Sequence, residues 1–225
     1  MDQANQSTTV KATGTMEANR SETAIRILDV AERLFVEHGF EATSLRMITQ
    51  QAAVNLAAVN YHFGSKDALF ESVFSRRLVP WVTACLEELD ALDAKGEAPT
   101  AEQVVMTYVR PALALSKDPS RGGAMFVRLF SRVLVENHRQ LRETISQQHS
   151  EFVKRYSATF GRALPHLSSE EVMWRMHLSF SVMFHAFAGN DVLKLFGRST
   201  VSARDPDLIV KHSVPFMVAG LTSPA

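Results

Sequence analysis

The stretch AAVNLAAVNYHFGSKDAL, Ala52–Leu69, decides how this chain is read. Its first half is small and apolar, and it then runs into Tyr-His-Phe, Gly-Ser and a lysine. That mixture suits neither a plain core helix nor a plain solvent face. Asn55 is a fit N-cap, because its side-chain oxygen can accept from the free N–H groups that open a helix. Val59 and Phe63, four residues apart, form the inward pair of that helix. Gly64-Ser65 breaks the chain, and Ser65 caps the next helix. Upstream, Thr43 and Ser44 offer caps for a short helix with Leu45, Ile48 and Ala52 at i, i+3 and i+7. Before it, Ala24, Ile27, Leu28, Ala31, Leu34 and Phe35 keep helical spacing from Ser21 until Gly39 ends the run.

Two short helices joined by a tight turn, the second starting at Asn55, make a helix-turn-helix. Periodicity alone leaves a second reading open, in which three short helices pack for structure only. The first reading accounts for the composition. Small residues such as Ala57 and Ala58 let a recognition helix approach base edges in the major groove, apolar contacts reach thymine methyls, and Asn60 can bond an adenine edge bidentately. Tyr61, His62 and Lys66 would then touch phosphates.

Outward from this segment, a long helix runs through Leu69, Phe70, Val73 and Phe74 to about Leu92. Pro80 predicts a kink in it, since the ring removes one donor and crowds the carbonyl of Arg76. Residues 93–99, DAKGEAP, read as a loop. Thr100 with Gln103 is a capping box for a helix that buries Val104, Val105, Tyr108 and Ala112. AMFVRLFSRVLVEN is apolar round most of its circumference and reads as a buried helix. A polar helix follows with Leu141, Ile145, Phe152, Tyr156 and Phe160 as its stripe. Ser168 with Glu171 reads as a second capping box, ahead of a stripe of Met173, Met176, Phe180, Met183 and Phe187. Asp205-Pro206 opens a last helix through Leu208, Ile209 and Phe216. The pattern predicts an all-α chain.

Hydrophobic residues make up 46% of the 225 and charged residues 21%, which excludes collagen-like and wholly disordered chains. Net charge is zero, and through residue 70 six Lys/Arg face eight Asp/Glu, so no basic excess announces nucleic acid. Any DNA contact must rest on local geometry. Cys85 is the single cysteine and has no disulfide partner within the chain, which is compatible with a reducing cytoplasm. No run approaches the about eighteen apolar residues that span a bilayer. Residues 1–20 lack the apolar centre of a signal peptide and read as a disordered tail. The histidines show no i, i+4 metal pair, no H-E-x-x-H motif is present, and Ser179, Ser181 and His185 lack a G-x-S-x-G turn. No metal, cofactor or enzymatic role is expected.

VNYHFGSKDALFESVF, together with AIRILDVAERLFVEHGFEATSLRMITQQAAVN before it, resembles the DNA-binding domain of TetR-family transcriptional regulators. The resemblance covers about residues 21 to 75 and includes Ala31, Leu34, Phe35, Gly39, Phe40, Thr43 and Ile48. NLAAVNYHFGSK with this helical second half further resembles the PsrA-type subgroup, known for fatty-acid or acyl-CoA responsiveness. There are departures. The family usually has Gly where this chain has Ala53, often a polar or basic residue where it has Leu56, and commonly Tyr where it has Asn60. An Ala at a left-handed position costs on the order of 1 kcal/mol.

The resemblance implies three segments: the tail 1–20, a helix-turn-helix domain 21–67, and a helical ligand-binding and dimerisation domain 68–225. It implies a cytoplasmic homodimer with no membrane partner, acting as a repressor that a small hydrophobic effector releases from a palindromic double-stranded operator. Thr43, Ser44, Arg46, Asn55, Leu56, Ala57, Ala58, Asn60, Tyr61, His62 and Lys66 are the candidate DNA contacts. Candidate effector contacts are Phe126, Leu129, Phe130, Met176, Phe180, Met183 and Phe184, with Arg128 and Arg132 on one helical face alongside Arg121. The competing class is a helical ligand-binding or enzymatic protein whose three-helix domain serves packing alone.

Overall fold

The computed structural model of the chain describes residues 3–118, 124–135, 143, 149–188 and 205–224. Among these the fold is all-α, with nine helices and no strand. The chain divides into two units, Met1–Ser75 and Arg76–Ala225.

In the first unit, α1 (Gln3–Ala42) takes in residues 3–20, expected from sequence as a disordered tail. From Ser21 onward Ile27, Ala31, Leu34 and Phe35 form its fully buried face. Gly39, at φ 83° and ψ 173°, leaves the helical conformation and turns Phe40 inward. Phe35 and Phe70 meet edge to face at 4.7 Å between centroids, and Phe40 lies 5.0 Å from Phe70. Such aromatic contacts stabilise beyond their buried area. Ile48 of α2 (Leu45–Gln51), Val59 of α3 (Leu56–Phe63) and Leu69, Val73 and Phe74 of α4 (Lys66–Asp93) complete this core.

The turns follow the local chemistry of their caps. Met47 N donates to Ser44 Oγ at 3.2 Å, Ala58 N to Asn55 Oδ1 at 2.8 Å, and Ala68 N to Ser65 Oγ at 3.1 Å. Each satisfies a backbone donor that a helix start leaves open. At its other end α2 closes in a Schellman motif, in which Val54 N donates to Thr49 O at 3.0 Å and Ala53 N to Gln50 O at 3.4 Å. The residue in the left-handed position is Ala53, at φ 51°.

The second unit holds α5 (Ala101–Lys117), α6 (Ala124–Val135), α7 (Ser150–Ala163), α8 (Ser169–Phe187) and α9 (Pro206–Thr222), and the second half of α4 meets α5 through Glu88–Arg110, α7 through Trp81–Phe152 and α8 through Trp81–Phe184. Pro80 stands inside α4 and Pro111 inside α5, and both helices continue past them. The Thr100–Gln103 capping box forms both of its hydrogen bonds, at 3.2 and 2.8 Å. Asp205 caps α9, with Pro206 at its first position.

The expected box at Ser168 forms only in half. Glu171 N donates to Ser168 Oγ at 3.2 Å, but the Glu171 carboxylate accepts instead from Arg175 Nε at 2.7 Å. A charge-assisted bond to a guanidinium is stronger than a cap on one amide. Buried Arg175 also donates to the carbonyls of Leu221 at 2.9 Å and Ser223 at 2.6 Å, so it caps the end of α9. Positive charge suits a helix C-terminus, where carbonyls lack amide partners. Met173 and Phe216 are 47% and 69% exposed, while the buried stripes run through Val172, Met176, Ser179 and Met183 on α8 and Val214, Met217 and Leu221 on α9. Leu141 and Ile145 lie outside the described residues.

Candidate nucleic-acid interface and effector unit

At 100° per residue, Leu56, Asn60, Ala57 and Tyr61 share an arc of about 140° on α3. All four are exposed, Leu56 at 51% and Tyr61 at 65%. Val59 is buried behind this face and half-buried His62 lies opposite it, while Ala58 and Phe63 are half-buried toward its margins. The face is therefore held out by packing behind it and by the Asn55 cap at its start. It carries two apolar side chains, one amide and one phenol. Tyr61 sets its ring edge-on to His62 at 5.1 Å.

The other candidates separate into those placed at the surface and one that is not. Ser44, Arg46 and Asn55 are exposed, and the oxygens of Ser44 and Asn55 serve as caps while their hydroxyl and amide hydrogens stay available. Lys66 is half-buried, with Nζ 4.1 Å from the Phe40 ring centroid and 3.5 Å from Glu41 O. Its aliphatic stem lies along the core while the ammonium sits at the end of α1, held by cation–π attraction. Thr43 is a correction. Its side chain is fully buried, and the hydroxyl donates to Gly39 O at 2.7 Å with Leu34 O at 3.2 Å, so it seals the break after α1 and does not face a partner.

The effector candidates lie in the second unit. Leu129, Met176, Met183 and Phe184 are buried; Phe130 and Phe180 are half-buried. Phe130 stacks on Phe184 at 3.8 Å, and Phe180 meets Tyr108 at 4.5 Å and Tyr156 at 5.4 Å. Arg128 is exposed and donates from Nε to Ala188 O at 3.0 Å, capping α8. The side chains of Phe126 and Arg132, and all of Arg121, lie outside the described residues.

Sequence reasoning missed the hydroxyl groups beside these aromatics. Tyr108 Oη is hydrogen-bonded to Ser179 Oγ and lies 3.8 Å from Met217 Sδ, and Tyr156 Oη lies 2.9 Å from Thr107 Oγ1. Burial pushes the Tyr108 and Tyr156 phenols and the Cys85 thiol above their ordinary values, so all three stay neutral. It also missed the outer face of α8, where Met173, Trp174 and Leu178 are exposed and a shallow groove of about 360 Å³ is lined by Glu170, Met173, Trp174 and His177. The i, i+4 pair Trp174–Leu178 was a signal for that face, hidden by the neighbouring Met stripe. Among the described residues no helix is long and apolar enough to cross a membrane, and no group of three His, Cys, Asp or Glu could hold a metal ion.

Residues 27–73 match the family model described as bacterial regulatory proteins, tetR family, and residues 106–220 match the tetracyclin repressor-like C-terminal domain. The HTH-type transcriptional repressor Rv3405c of Mycobacterium tuberculosis is 45% identical over 58 residues, which cover 26% of this chain and 31% of that protein. UidR of Escherichia coli K12, an HTH-type transcriptional regulator, is 33% identical over 58 residues, covering 26% of this chain and 30% of UidR. The chain thus matches about a third of the length of these curated relatives. Among solved structures, the fatty acid degradation regulator FadR from Bacillus halodurans superposes with a TM-score of 0.62 at 16% identity, over 90% of this chain and 97% of that one. FadR from Bacillus subtilis, solved in complex with stearoyl-CoA, gives 0.58 at 15% identity over 87% and 98%.

Proposed function

We propose, because the chain belongs to the tetR family of bacterial regulatory proteins, that it is a homodimeric transcriptional repressor which a hydrophobic small molecule releases from a palindromic operator. The observation that carries this reading is the exposed face of α3. Leu56, Ala57 and Asn60, with Ala58 at its margin, meet base edges in the major groove; Ser44, Arg46, Asn55, Tyr61, His62 and Lys66 hold the backbone on either side. Residues 21–67 form the DNA-binding domain and 68–225 the effector and dimerisation domain. The cytoplasm is where such a protein would meet its operator.

A second copy is the partner proposed for the apolar outer face of α8 and α9. Trp174 and Phe216 are 59% and 69% exposed there, and large aromatics at that exposure favour burial against a self-complementary surface. For the effector, a fatty acid or acyl-CoA suits the Met and Phe side chains of the second unit, which adapt to a flexible chain. The stearoyl-CoA bound to the Bacillus subtilis relative supports the same class. Effector and operator must then weaken each other by equal factors.

The test is selection of tight binders from a randomised duplex pool at near-physiological salt, followed by titration of the selected site with fatty acids and acyl-CoAs. A palindromic consensus supports sequence-specific regulation. Folded protein that yields no consensus, with or without those ligands, removes the function.

A further inference from the structure

Between Leu56 and Phe63 the sequence LAAVNYHF contains no Arg, Lys, Asp or Glu. The commonest specific contact to guanine is a bidentate Arg or Lys, and cytosine is read by a carboxylate accepting from its amino group. Neither chemistry is available on α3. The exposed arc offers the Leu56 side chain, the Ala57 methyl, the Asn60 amide and the Tyr61 phenol. An aliphatic group complements the C5-methyl of thymine, and a side-chain amide matches N6 and N7 of adenine. The Arg and Lys side chains are carried by other elements. Arg46 is on α2, the helix that crosses the backbone in this motif, and the Lys66 ammonium stands over Phe40 beside Glu41 O.

We infer that the α3 face reads A·T pairs, with Leu56 and Ala57 recognising thymine methyl groups and Asn60 the adenine edge. This rests on the DNA-binding function proposed above and deepens it by naming the chemistry of the bases. Leu56 becomes a specificity-determining side chain. Methyl recognition does not distinguish thymine from 5-methylcytosine at the C5 position, so a methylated C·G pair is a partial mimic of the site.

The experiment uses the full chain and its selected operator, with thymines replaced one at a time by deoxyuridine, which deletes the methyl and leaves pairing intact. At the positions facing α3, each lost methyl should weaken binding about fourfold. With Leu56→Ala the penalty at one of those positions should vanish, because the two changes remove the same contact. Replacing that T·A by C·G should weaken binding more, and 5-methylcytosine there should recover part of the loss. A consensus whose central half-site positions are G·C, or an operator bound equally well with deoxyuridine throughout, overturns the inference while leaving sequence-specific binding intact. Absence of any consensus removes the parent function and the inference together. The deoxyuridine series on the unmodified protein stands whether or not Leu56→Ala folds.

Discussion

Replacing Ala53 with glycine should make the helix-turn-helix more stable. Ala53 is exposed at φ 51°, with its own amide and that of Val54 closing the end of α2, so the substitution loses no buried surface and no hydrogen bond. An L-residue in the left-handed region costs about 1–2 kcal/mol, and glycine there costs nothing sterically. Glycine also frees the unfolded chain, which returns about 0.4–1 kcal/mol of that gain. The net expectation is stabilisation by about 0.5–1 kcal/mol. Native-state hydrogen exchange reads it where it acts: amides of Ile48 in α2 and Val59 in α3 should gain roughly two- to fivefold protection. Ala53→Val should move the same amides the other way, because a β-branched residue tolerates positive φ least. If Ala53→Gly leaves exchange unchanged or faster, the turn is not strained as described.

Thr43→Val should destabilise the first unit by about 1–2 kcal/mol, through the lost donor to Gly39 O, and leave the operator affinity of the folded protein unchanged; weaker binding by folded Thr43→Val protein would return Thr43 to the DNA contacts. Lys66→Ala should weaken binding to all DNA sequences and lower the salt slope by about one, at a small cost in stability from the Phe40 contact. Equal affinity for every duplex before and after the change would leave Lys66 a purely structural role. Alkali should unfold the second unit. Tyr108 and Tyr156 are held neutral by burial, so their contribution to stability is fully present below about pH 10, where unfolded tyrosines ionise, and falls progressively above it. Circular dichroism across that range checks this, and phenolate absorbance showing both groups ionised near pH 10 in folded protein would contradict it.

Much of the fold was legible because its punctuation is local. Ser44, Asn55, Thr100 with Gln103 and Asp205 each cap a helix whose first amides lie within reach of their own side chains, and four residues suffice to see it. The α3 face was legible for a related reason: one buried position, Val59, fixes the rotation of so short a helix. Long-range competition was not legible. Glu171 abandons its cap for Arg175, which reaches carbonyls more than forty residues away at the end of α9. Thr43 has the chemistry of a cap or a phosphate contact, and the turn at Gly39 brings it instead against the carbonyls of α1. On α8 and α9 the apolar residues outnumber the positions of one buried stripe, so the sequence did not say that Met173 and Phe216 face outward.

The placement of the two tryptophans makes the second unit a source of two separable optical signals. Trp81 is buried among Phe152, Phe180 and Phe184, with ring centroids 5.5, 6.5 and 5.3 Å away, while Trp174 stands on the open face of α8. Trp81 should emit at short wavelength and respond to a ligand that enters among those rings. Trp174 should emit at long wavelength, be quenched by iodide, and shift to the blue as copies of the chain associate. The first unit contains neither, so an event confined to that unit changes this emission only when it also alters the second. One untagged sample can thereby distinguish filling of the core from assembly, using Trp174→Phe and Trp81→Phe to assign each band.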